Sequence, residues 1–397
     1  MKNVELLAPA GDFECLETAL HFGADAVYIG GDLLQLRAKK AGFNREDLQK
    51  AVNLAHQKGK KLYVTVNAFA NNEEIDACGD YAHFLEDVGV DAAIISDPGV
   101  FVAFGEAAPN LERHLSTQAN CTNFKTAELF ASLGAKRIVL AREMSLEEIR
   151  QLRRRLDPSV ELEAFIHGAM CMAYSGRCMI SSYLIGRSGN RGECAQPCRW
   201  EYSIVEKKRP DQMFDLEESE SGTAILSSHD LCGADLLSDL AEAGVTSFKI
   251  EGRMKSSYYV ATAVNAYRNL LDGRFSLEDC KKELDCLQHR PYSTGFYQGA
   301  LKLGHYNSGE YTGSCKFIAN VLEDLGGRIK IRQRGHFCLG ETLEVLSPGK
   351  EIRSFLVSEI RNEEGETQEK APHPNQILTL PCDLPLSPGD ILRRREA

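Results

Sequence analysis

The sequence lacks an uncharged apolar segment of about 18 residues, the length needed to cross a membrane as a helix. Its first residues, MKNVELLAPAGDF, lack the unbroken apolar stretch of a secretory signal, because an acidic residue stands at position 5. We therefore expect a cytoplasmic protein with no membrane partner. Basic residues are fewer than acidic ones, and the net charge of −11 argues against a surface covered with basic residues for non-specific nucleic-acid binding. A local basic patch stays possible.

Several common functional motifs are missing as well. No GxGxxG follows the first predicted strand and no GxxxxGK occurs, which argues against an open dinucleotide-binding sheet and against a P-loop. The patterns HExxH, GxSxG and the EF-hand loop are absent too. The usual signatures of metalloproteases, serine hydrolases and calcium-binding proteins are therefore excluded.

A recurring helix-to-strand pattern predicts a parallel barrel. Each copy has a glycine at the helix end followed by a buried apolar strand: HFGADAVYIG (21–30), DVGVDAAIIS (87–96), SLGAKRIVLA (132–141) and EAGVTSFKIE (242–251). Further strand candidates lie at 4–10, 61–69, 113–119, 160–167 and 224–230, one more in total than a closed eight-stranded barrel requires. We predict the α/β class, with a TIM-like (β/α) barrel in which one later candidate is irregular.

The character of the sequence changes near residue 305. From there, short β-rich runs such as RIKIRQRG and ETLEVLSP alternate with Gly, Pro and Asn turns, which is typical of a small all-β barrel. We predict a barrel domain over 1–275, a connecting segment over 276–304 and a small C-terminal β-barrel domain over 305–397. The C-terminal RRR at 393–395 is expected to be plain surface.

Four cysteines cluster in one polar, glycine-rich segment: Cys171, Cys178, Cys194 and Cys198. The spacing C-x6-C-x15-C-x3-C lacks the paired C-x2-C knuckles of a zinc ribbon. Irregular spacing from loops suits an enzyme-embedded iron–sulfur cluster, because thiolates need only converge in space. Cys232, which follows the candidate strand 224–230, is a fifth candidate ligand.

Two alternative roles for these cysteines stay open. They can be small buried hydrophobic residues, since an unpaired cysteine is commonly found in a core. One of them can also be a nucleophile paired with His167, although that would not account for the remaining thiols. The total of thirteen is odd, so a complete set of intrachain disulfides is impossible.

Two strand ends carry candidate polar groups. Alternation along EAFIHGAM puts Glu163, Phe165 and His167 on one face, so Glu163 and His167 are predicted to point into the barrel mouth as catalytic groups. In SFKIEGRMKS, Lys249 and Glu251 alternate with apolar residues. The alternatives without a functional role are that His167 is a structural, hydrogen-bonded histidine and that Lys249 and Glu251 form an internal ion pair.

Cations near these strand ends predict binding of an anionic substrate. Arg253 lies at the turn into the helix after SFKIEG, where it can assist the helix N-terminus in holding an anion. Around the cysteines, arginines interleave with Tyr183 and Trp200, which suits phosphate contacts and base stacking but equally a solvated loop. These arginines are Arg177, Arg187, Arg191 and Arg199.

The stretch EAFIHGAMCMAYSGRCMISSYLIGRSGNRGECAQPCRWEY resembles the signature of peptidase family U32. Other blocks match that family in order: LLAPAGDFECLETALHFGADAVYIGG, ILSSHDLCGADLL, SFKIEGRMKSSYYVATAVNAYR and RPYSTGFYQG. Family members were named collagenase-like proteases. The resemblance implies an oxygen-independent hydroxylase with a [4Fe–4S] cluster and prephenate as co-substrate, acting on tRNA uridine, ribosomal RNA cytidine or a quinone precursor.

The barrel followed by a small β domain is most similar to the tRNA uridine 5-hydroxylase branch. The resemblance therefore implies tRNA as partner, a small carboxylate as co-substrate and possible need of a second U32-family protein as a heteromeric partner. It implies cluster ligands among five cysteines. The favoured set is Cys171, Cys178, Cys198 and Cys232, with Cys194 as the rival fourth ligand.

Roles for the remaining residues come from position and charge. Lys249, Arg253 and Arg177 are expected to hold carboxylates of the co-substrate, with Glu251 beside them, and His167 or Glu163 to move a proton. A peptidase of the collagenase-like type is the rival enzyme class, although the sequence offers no recognised nucleophile or hydrolytic metal for it. A binding module with a structural zinc is the non-enzymatic alternative.

Overall fold

The computed structural model describes residues 4–36, 42–171, 177–200, 229–299 and 311–396. Their backbone forms two compact units. Unit 1 takes the described residues within Met1–Leu16, Asp25–Met254 and His289–Tyr311, and unit 2 takes those within Glu17–Ala24, Lys255–Gln288 and Thr312–Ala397. The chain thus changes unit at 16/17, 24/25, 254/255, 288/289 and 311/312, whereas the predicted domain boundaries lie at 275 and 304.

Unit 1 contains a closed barrel of eight parallel strands, which confirms the predicted fold class. The ring closes because the seventh strand pairs directly with the last one, Glu163 opposite Ser247 and Phe165 opposite Lys249. The strands of unit 1 are β1 (Glu5–Pro9), β2 (Ala26–Gly30), β3 (Lys61–Val66), β4 (Ala92–Ile95), β5 (Glu112–Leu115), β6 (Ala135–Val139), β7 (Glu161–Ala169), β8 (Asp230–Cys232), β9 (Ser247–Ile250) and β10 (Tyr292–Ser293).

Strand β8 overlaps the candidate 224–230 only at Asp230; it runs antiparallel to β7 and does not belong to the ring. Residues 224–228 of the predicted strand lie outside the described residues. Strand β7 overhangs the ring: its first part pairs with β6 and β9, and its last three residues pair with β8. Strand β10 pairs with the other side of β8. Together, β8 and β10 extend the sheet beyond the barrel.

Helices alternate with the strands as the repeat pattern predicts. Helix α7 begins with the capping box that SLEE suggests: the Ser145 hydroxyl accepts from the Glu148 N–H, and the Glu148 carboxylate accepts from the Ser145 N–H. The helices are α1 (Phe13–His21), α2 (Arg45–Gln57), α3 (Asn72–Asp76), α4 (Cys78–Asp87), α5 (Pro98–Ala107), α6 (Phe124–Ser132), α7 (Leu146–Arg155), α8 (Ile180–Ile185), α9 (Leu237–Glu242), α10 (Ser257–Leu271) and α11 (Leu277–Leu284). None of those described combines the length and apolar character of a membrane-crossing helix.

Unit 2 is built around an antiparallel sheet, in agreement with the predicted C-terminal all-β domain. Six strands follow the order β15-β14-β18-β11-β12-β17, and β13 pairs with β16. Their alternate residues form one apolar core that includes Ile329, Ile331 and Phe337. The strands are β11 (Cys315–Asp324), β12 (Arg328–Gln333), β13 (Phe337–Cys338), β14 (Thr342–Leu346), β15 (Arg353–Leu356), β16 (Lys370–Ala371), β17 (Ile377–Pro381) and β18 (Ile391–Arg395).

The arginines at 393–395 were expected to be plain surface, but the structure shows otherwise. Arg393 is fully buried and donates to both carboxylate oxygens of Glu283 at 2.9 Å and to Glu344 at 2.8 Å. Arg394 is three-quarters buried in its pair with Glu341, and Arg395 is half-exposed in its pair with Glu344. The C-terminal strand is therefore fastened to α11 and β14 by charge as well as by backbone hydrogen bonds.

Arg393→Met is expected to lower the free energy of unfolding by about 3–5 kcal/mol, because Glu283 and Glu344 would stay together without their shared cation. Arg395→Met is the matched control and should cost at most about 1 kcal/mol, since its pair is half-exposed. Urea denaturation followed by circular dichroism measures both. Equal losses for the two variants would contradict a special role of the buried pair.

Candidate active site

A cavity of about 170 Å³ opens at the carboxyl ends of the barrel strands, which is where barrel enzymes carry their chemistry. Strand residues form its wall near the barrel, and the segment after β7 forms the opposite wall. Its described lining residues are Tyr28, Leu36, Thr65, Asn67, Ile94, Ser116, Thr117, Gln118, Val139, Arg142, Phe165, Ala169, Cys171, Cys178, Ile180, Gly189, Asn190, Cys194, Cys198, Lys249, Glu251 and Arg253.

The four clustered cysteines, Cys171, Cys178, Cys194 and Cys198, all line this one cavity. All thirteen cysteines lie within the described residues, and none forms a disulfide. The thiols therefore share one wall without being cross-linked. Within the described residues, no three His, Cys, Asp or Glu side chains stand in an arrangement that would already hold a metal ion.

The segment that carries three of these cysteines is fastened to the loop after β3. Arg191 donates to the Phe69 carbonyl at 2.8 Å and to the Glu74 carboxylate at 2.9 Å, and the Phe69 N–H donates to the Asn190 carbonyl. The hydrogen bond from Arg191 lowers the pKa of Glu74, as expected for a carboxylate that accepts from a guanidinium. Arg191 thus has a positioning role, which its sequence context alone did not reveal.

Local contacts orient Cys194 within this segment. Its sulfur accepts from the Gln196 N–H at 3.4 Å. Gly189 lies beside it, since a Cβ at this position would be 3.5 Å from the Cys194 Cβ, an ordinary van der Waals distance. The Ala195 N–H donates to the Ser181 hydroxyl in the first turn of α8. These contacts tie the loop around Cys194 to that helix.

Cys232 and His167 lie elsewhere. They are opposite each other in the β7–β8 ladder, both are buried, and neither belongs to the described cavity lining. The register of β7 against β9 shifts between Phe165 and His167, so His167 pairs with Ile250 and not with a residue on the Lys249 face. This bulge breaks the alternation that predicted His167 beside Glu163 in the barrel mouth. The centre of the His167 ring lies 5.5 Å from the centre of the Tyr292 ring.

Glu163 points into the barrel interior and not into the mouth predicted for it, and it is fully buried between two cations. Lys249 donates to one carboxylate oxygen at 2.8 Å and Arg137 to the other at 3.1 Å. Arg137 also pairs with Glu5 at 2.6 Å and with Glu161 at 2.6 Å. The lower barrel is therefore filled by an ion network instead of the branched apolar side chains common in such barrels.

This network decides the protonation state of Glu163. Burial raises the pKa of the carboxyl, but the charges of Lys249 and Arg137 outweigh burial and hold the pKa at about 2. A carboxyl with such a pKa stays ionised near neutrality. Its environment favours a fixed anion that orients Lys249 and argues against a proton-moving role.

The four residues predicted to bind substrate differ in position. Lys249, Glu251 and Arg253 line the cavity, whereas Arg177 is exposed and is not among the described lining residues. The Lys249 ammonium is already bound to Glu163 and lies 4.4 Å from the centre of the Tyr28 ring. Arg253 is buried and donates to the Thr65 hydroxyl at 2.5 Å and to the Leu36 carbonyl.

Arg142 is a cavity residue that sequence reasoning missed. It donates to the Ala169 carbonyl at 3.1 Å and to Glu251 at 3.0 Å, and its guanidinium lies 3.9 Å from the centre of the Phe165 ring. Its Nε is buried without a hydrogen-bond partner among the described residues. Burial lowers the pKa of Arg142, but the nearby Glu251 and Cys171 raise it overall. The available signal was its place directly after the predicted strand SLGAKRIVLA.

The outer rim of the cavity exposes large side chains on and beside α8. Tyr183 is 88% exposed and Met179 71% exposed, and Trp200 is 42% exposed. Arg187 is exposed as well. Exposed aromatic and aliphatic side chains grouped in this way often mark a binding site.

Family models match most of the chain. Residues 11–306 match the model described as peptidase family U32, and residues 313–393 match the model described as the peptidase family U32 C-terminal domain. These two matches cover most of the barrel and most of the C-terminal sheet. Together they agree with the resemblance read from the motifs.

Three relatives show how far the similarity extends. The tRNA hydroxylation protein P1 of Bacillus subtilis is 37% identical over 405 residues, covering 99% of this chain and 95% of that protein. The tRNA hydroxylation protein P of Escherichia coli is 34% identical over 443 residues, covering 99% and 97%. The 23S rRNA 5-hydroxycytidine C2501 synthase of Escherichia coli is 38% identical over 270 residues, covering 68% and 39%.

Glu163→Gln is expected to lower the free energy of unfolding at pH 7 by about 3–5 kcal/mol, because Lys249 and Arg137 would keep their buried charges without this anion. The folded-state pKa of about 2 lies below the ordinary 4.5, so the stabilisation is complete above about pH 4.5 and is lost as the pH falls through about 2. Urea denaturation of both proteins at several pH values measures the difference.

The matched control is Glu161→Gln, at the half-exposed end of the same network, which should cost about 1 kcal/mol. If the difference between Glu163→Gln and the unsubstituted protein did not shrink in acid, Glu163 would not be the buried anion described above.

Proposed function

Because this chain belongs to peptidase family U32, we propose that it is a tRNA-modifying hydroxylase that forms 5-hydroxyuridine at the wobble position. The reaction would not require molecular oxygen and would use a [4Fe–4S] cluster. The observation that carries this proposal is the cavity lining, which combines four thiols, three cationic side chains and one carboxylate. Relatives named tRNA hydroxylation protein, similar over almost the whole chain, support tRNA as the substrate.

We assign the cluster ligands to Cys171, Cys178, Cys194 and Cys198. Four thiols match in kind and number what a [4Fe–4S] cluster takes, and all of them line one cavity. Their side chains would still need to converge, since the described residues form no ready metal-holding group. This choice differs from the favoured sequence-based set, because Cys232 is buried in the β7–β8 ladder and Cys194 shares the cavity.

When bound, the cluster would supply a centre that accepts and returns electrons. The protein side chains would bind and orient the reactants around it. Arg253 is the cation best suited to a carboxylate of a prephenate-like co-substrate, because it lines the cavity and its hydrogen bonds to Thr65 and Leu36 fix the direction of its guanidinium. Lys249 is held by Glu163 and would contribute mainly to the positive potential of the wall.

Proton transfer is assigned to Glu251. Converting C5–H to C5–OH is a two-electron oxidation, which balances if the co-substrate gives up one oxygen atom and is itself reduced. The C5 proton would leave during this exchange, and a carboxylate within the cavity suits its removal. Glu251 is the only carboxylate among the described lining residues, and Arg142 orients it at 3.0 Å. Glu163 is committed to its ion network and His167 lies outside the described lining, so neither suits this role.

The exposed rim suits an RNA loop. Enzymes that modify a base take it out of the stack, and the flanking bases then need new surfaces. Tyr183 and Trp200 offer aromatic faces for stacking, and Arg187 offers a charge for phosphate. The same exposed surface would also suit a second U32-family protein, the heteromeric partner that the resemblance allows.

Deletion of the gene should remove 5-hydroxyuridine derivatives from total tRNA, and expression of the unsubstituted protein should restore them. Nucleoside mass spectrometry measures both. Glu251→Gln should fail to restore them because the proton acceptor is lost, whereas Glu242→Gln on α9, outside the described lining, should restore them. Unchanged tRNA in the deletion strain would refute the function, and a change confined to ribosomal RNA or quinones would favour the other hydroxylase classes.

Anaerobic purification should give a brown protein that absorbs broadly near roughly 400 nm and contains about four irons per chain. Cys194→Ser should lose most of the iron, and Cys232→Ser should keep it. Iron content per folded chain is measured independently of activity. Loss of iron from Cys232→Ser but not from Cys194→Ser would indicate Cys232 as the fourth ligand. A colourless protein with one zinc would refute the cluster.

A further inference from the structure

Strand β12 in unit 2 presents a row of cations. Its sequence, RIKIRQ, alternates basic and apolar residues, and Ile329 and Ile331 are fully buried in the core of the sheet. Successive side chains of a strand point to opposite faces. Arg328, Lys330 and Arg332 therefore lie together on the outer face.

Arg334, just after the strand, extends this row. It donates to the side-chain oxygens of Asn320 at 3.0 Å and of Asn375 at 2.8 Å. Asn320 is directly opposite Arg332 in the β11–β12 ladder, so Arg334 lies over the same face. We call Arg328, Lys330, Arg332 and Arg334 the β12 stripe.

Among the described residues, Glu359 and Glu323 are the carboxylates that bear on Arg328 and Lys330. Glu359 binds Arg328 at 2.7 Å and also pairs with Arg361. Glu323 is opposite Lys330 in the ladder, but no ion pair joins them in the part of the chain that the structure describes. Lys330 and Arg332 likewise have no carboxylate partner among the described residues.

This arrangement is unusual within unit 2. Its C-terminal strand also carries three consecutive arginines, yet each of them is paired with a glutamate. Lys330 and Arg332 instead lie on one face of one strand with no carboxylate partner among the described residues, so their like charges repel each other. The chain as a whole carries a net charge of −11, so a general excess of basic residues does not account for the stripe.

We propose that the β12 stripe binds the phosphate backbone of tRNA. The proposal rests on the proposed function, which names tRNA as the substrate. Arg332 is exposed, and Arg328, Lys330 and Arg334 are partly exposed. A straight row of cations matches the form of a linear polyanion, whereas a small anion requires a concave site with convergent donors. Contacts of this kind position an RNA without reading its sequence.

The test is tRNA binding as a function of salt, measured by fluorescence anisotropy with the full chain. Lys330→Gln/Arg332→Gln should reduce the slope of log affinity against log salt by about two, because each lost phosphate contact removes about one released counterion. The ratio of variant to unsubstituted Kd should accordingly fall roughly tenfold between about 50 and 200 mM salt. Lys330→Arg/Arg332→Lys should keep the original slope.

The matched control is Lys350→Gln/Lys370→Gln, which removes the same charge from exposed positions of unit 2 outside the stripe. It should leave the slope nearly unchanged. A Lys330→Gln/Arg332→Gln protein with the slope of the unsubstituted protein would overturn the proposal, as would equal losses in the control or tRNA binding without salt dependence. Restoration of 5-hydroxyuridine by the unsubstituted protein tests the function separately, so either idea can fail alone.

Discussion

The ion network around Glu163 is the constraint on which the rest of the barrel depends. It joins residues of β6, β7 and β9 through Arg137, Glu163 and Lys249 at the seam where the ring of strands closes. Charges this deeply buried are stable only when every one is paired, so the seam has one compatible register. The same pairing points the Lys249 ammonium down towards Glu163 and thereby forms the base of the cavity.

The charges of Glu163, Lys249 and Arg137 are paired with one another. The other polar groups of the described cavity lining lie above them. These include the four thiols, the Arg142–Glu251 pair and Arg253. The thiols come mainly from a loop and not from a strand, and this loop relies on Arg191 and Glu74 for its position. A rigid barrel end thus faces an anchored loop, the arrangement by which barrel enzymes vary their chemistry on one scaffold.

Sequence patterns predicted the barrel well because each repeated unit is local. A helix end, a glycine and a buried strand follow one another within ten residues in four copies, and these supply four of the eight ring strands. The surplus candidate at 224–230 was ambiguous, since its apolar pattern is the same whether it joins the ring or pairs outside it. Only the long-range pairing of β7 with β9 excludes β8 from the ring. His167 was misplaced for a related reason, as a bulge depends on the partner strand.

The sequence by itself determined the fold class, the membership of peptidase family U32 and the local excess of cysteines, because composition, repeats and motifs are properties of neighbouring residues. Only the tertiary structure decided that Cys194 shares the cavity while Cys232 lies in the β7–β8 ladder, that Arg142 enters the site and that Glu163 is locked between two cations. Those outcomes depend on contacts between residues far apart in the chain. Spacing along the sequence carries no record of such contacts.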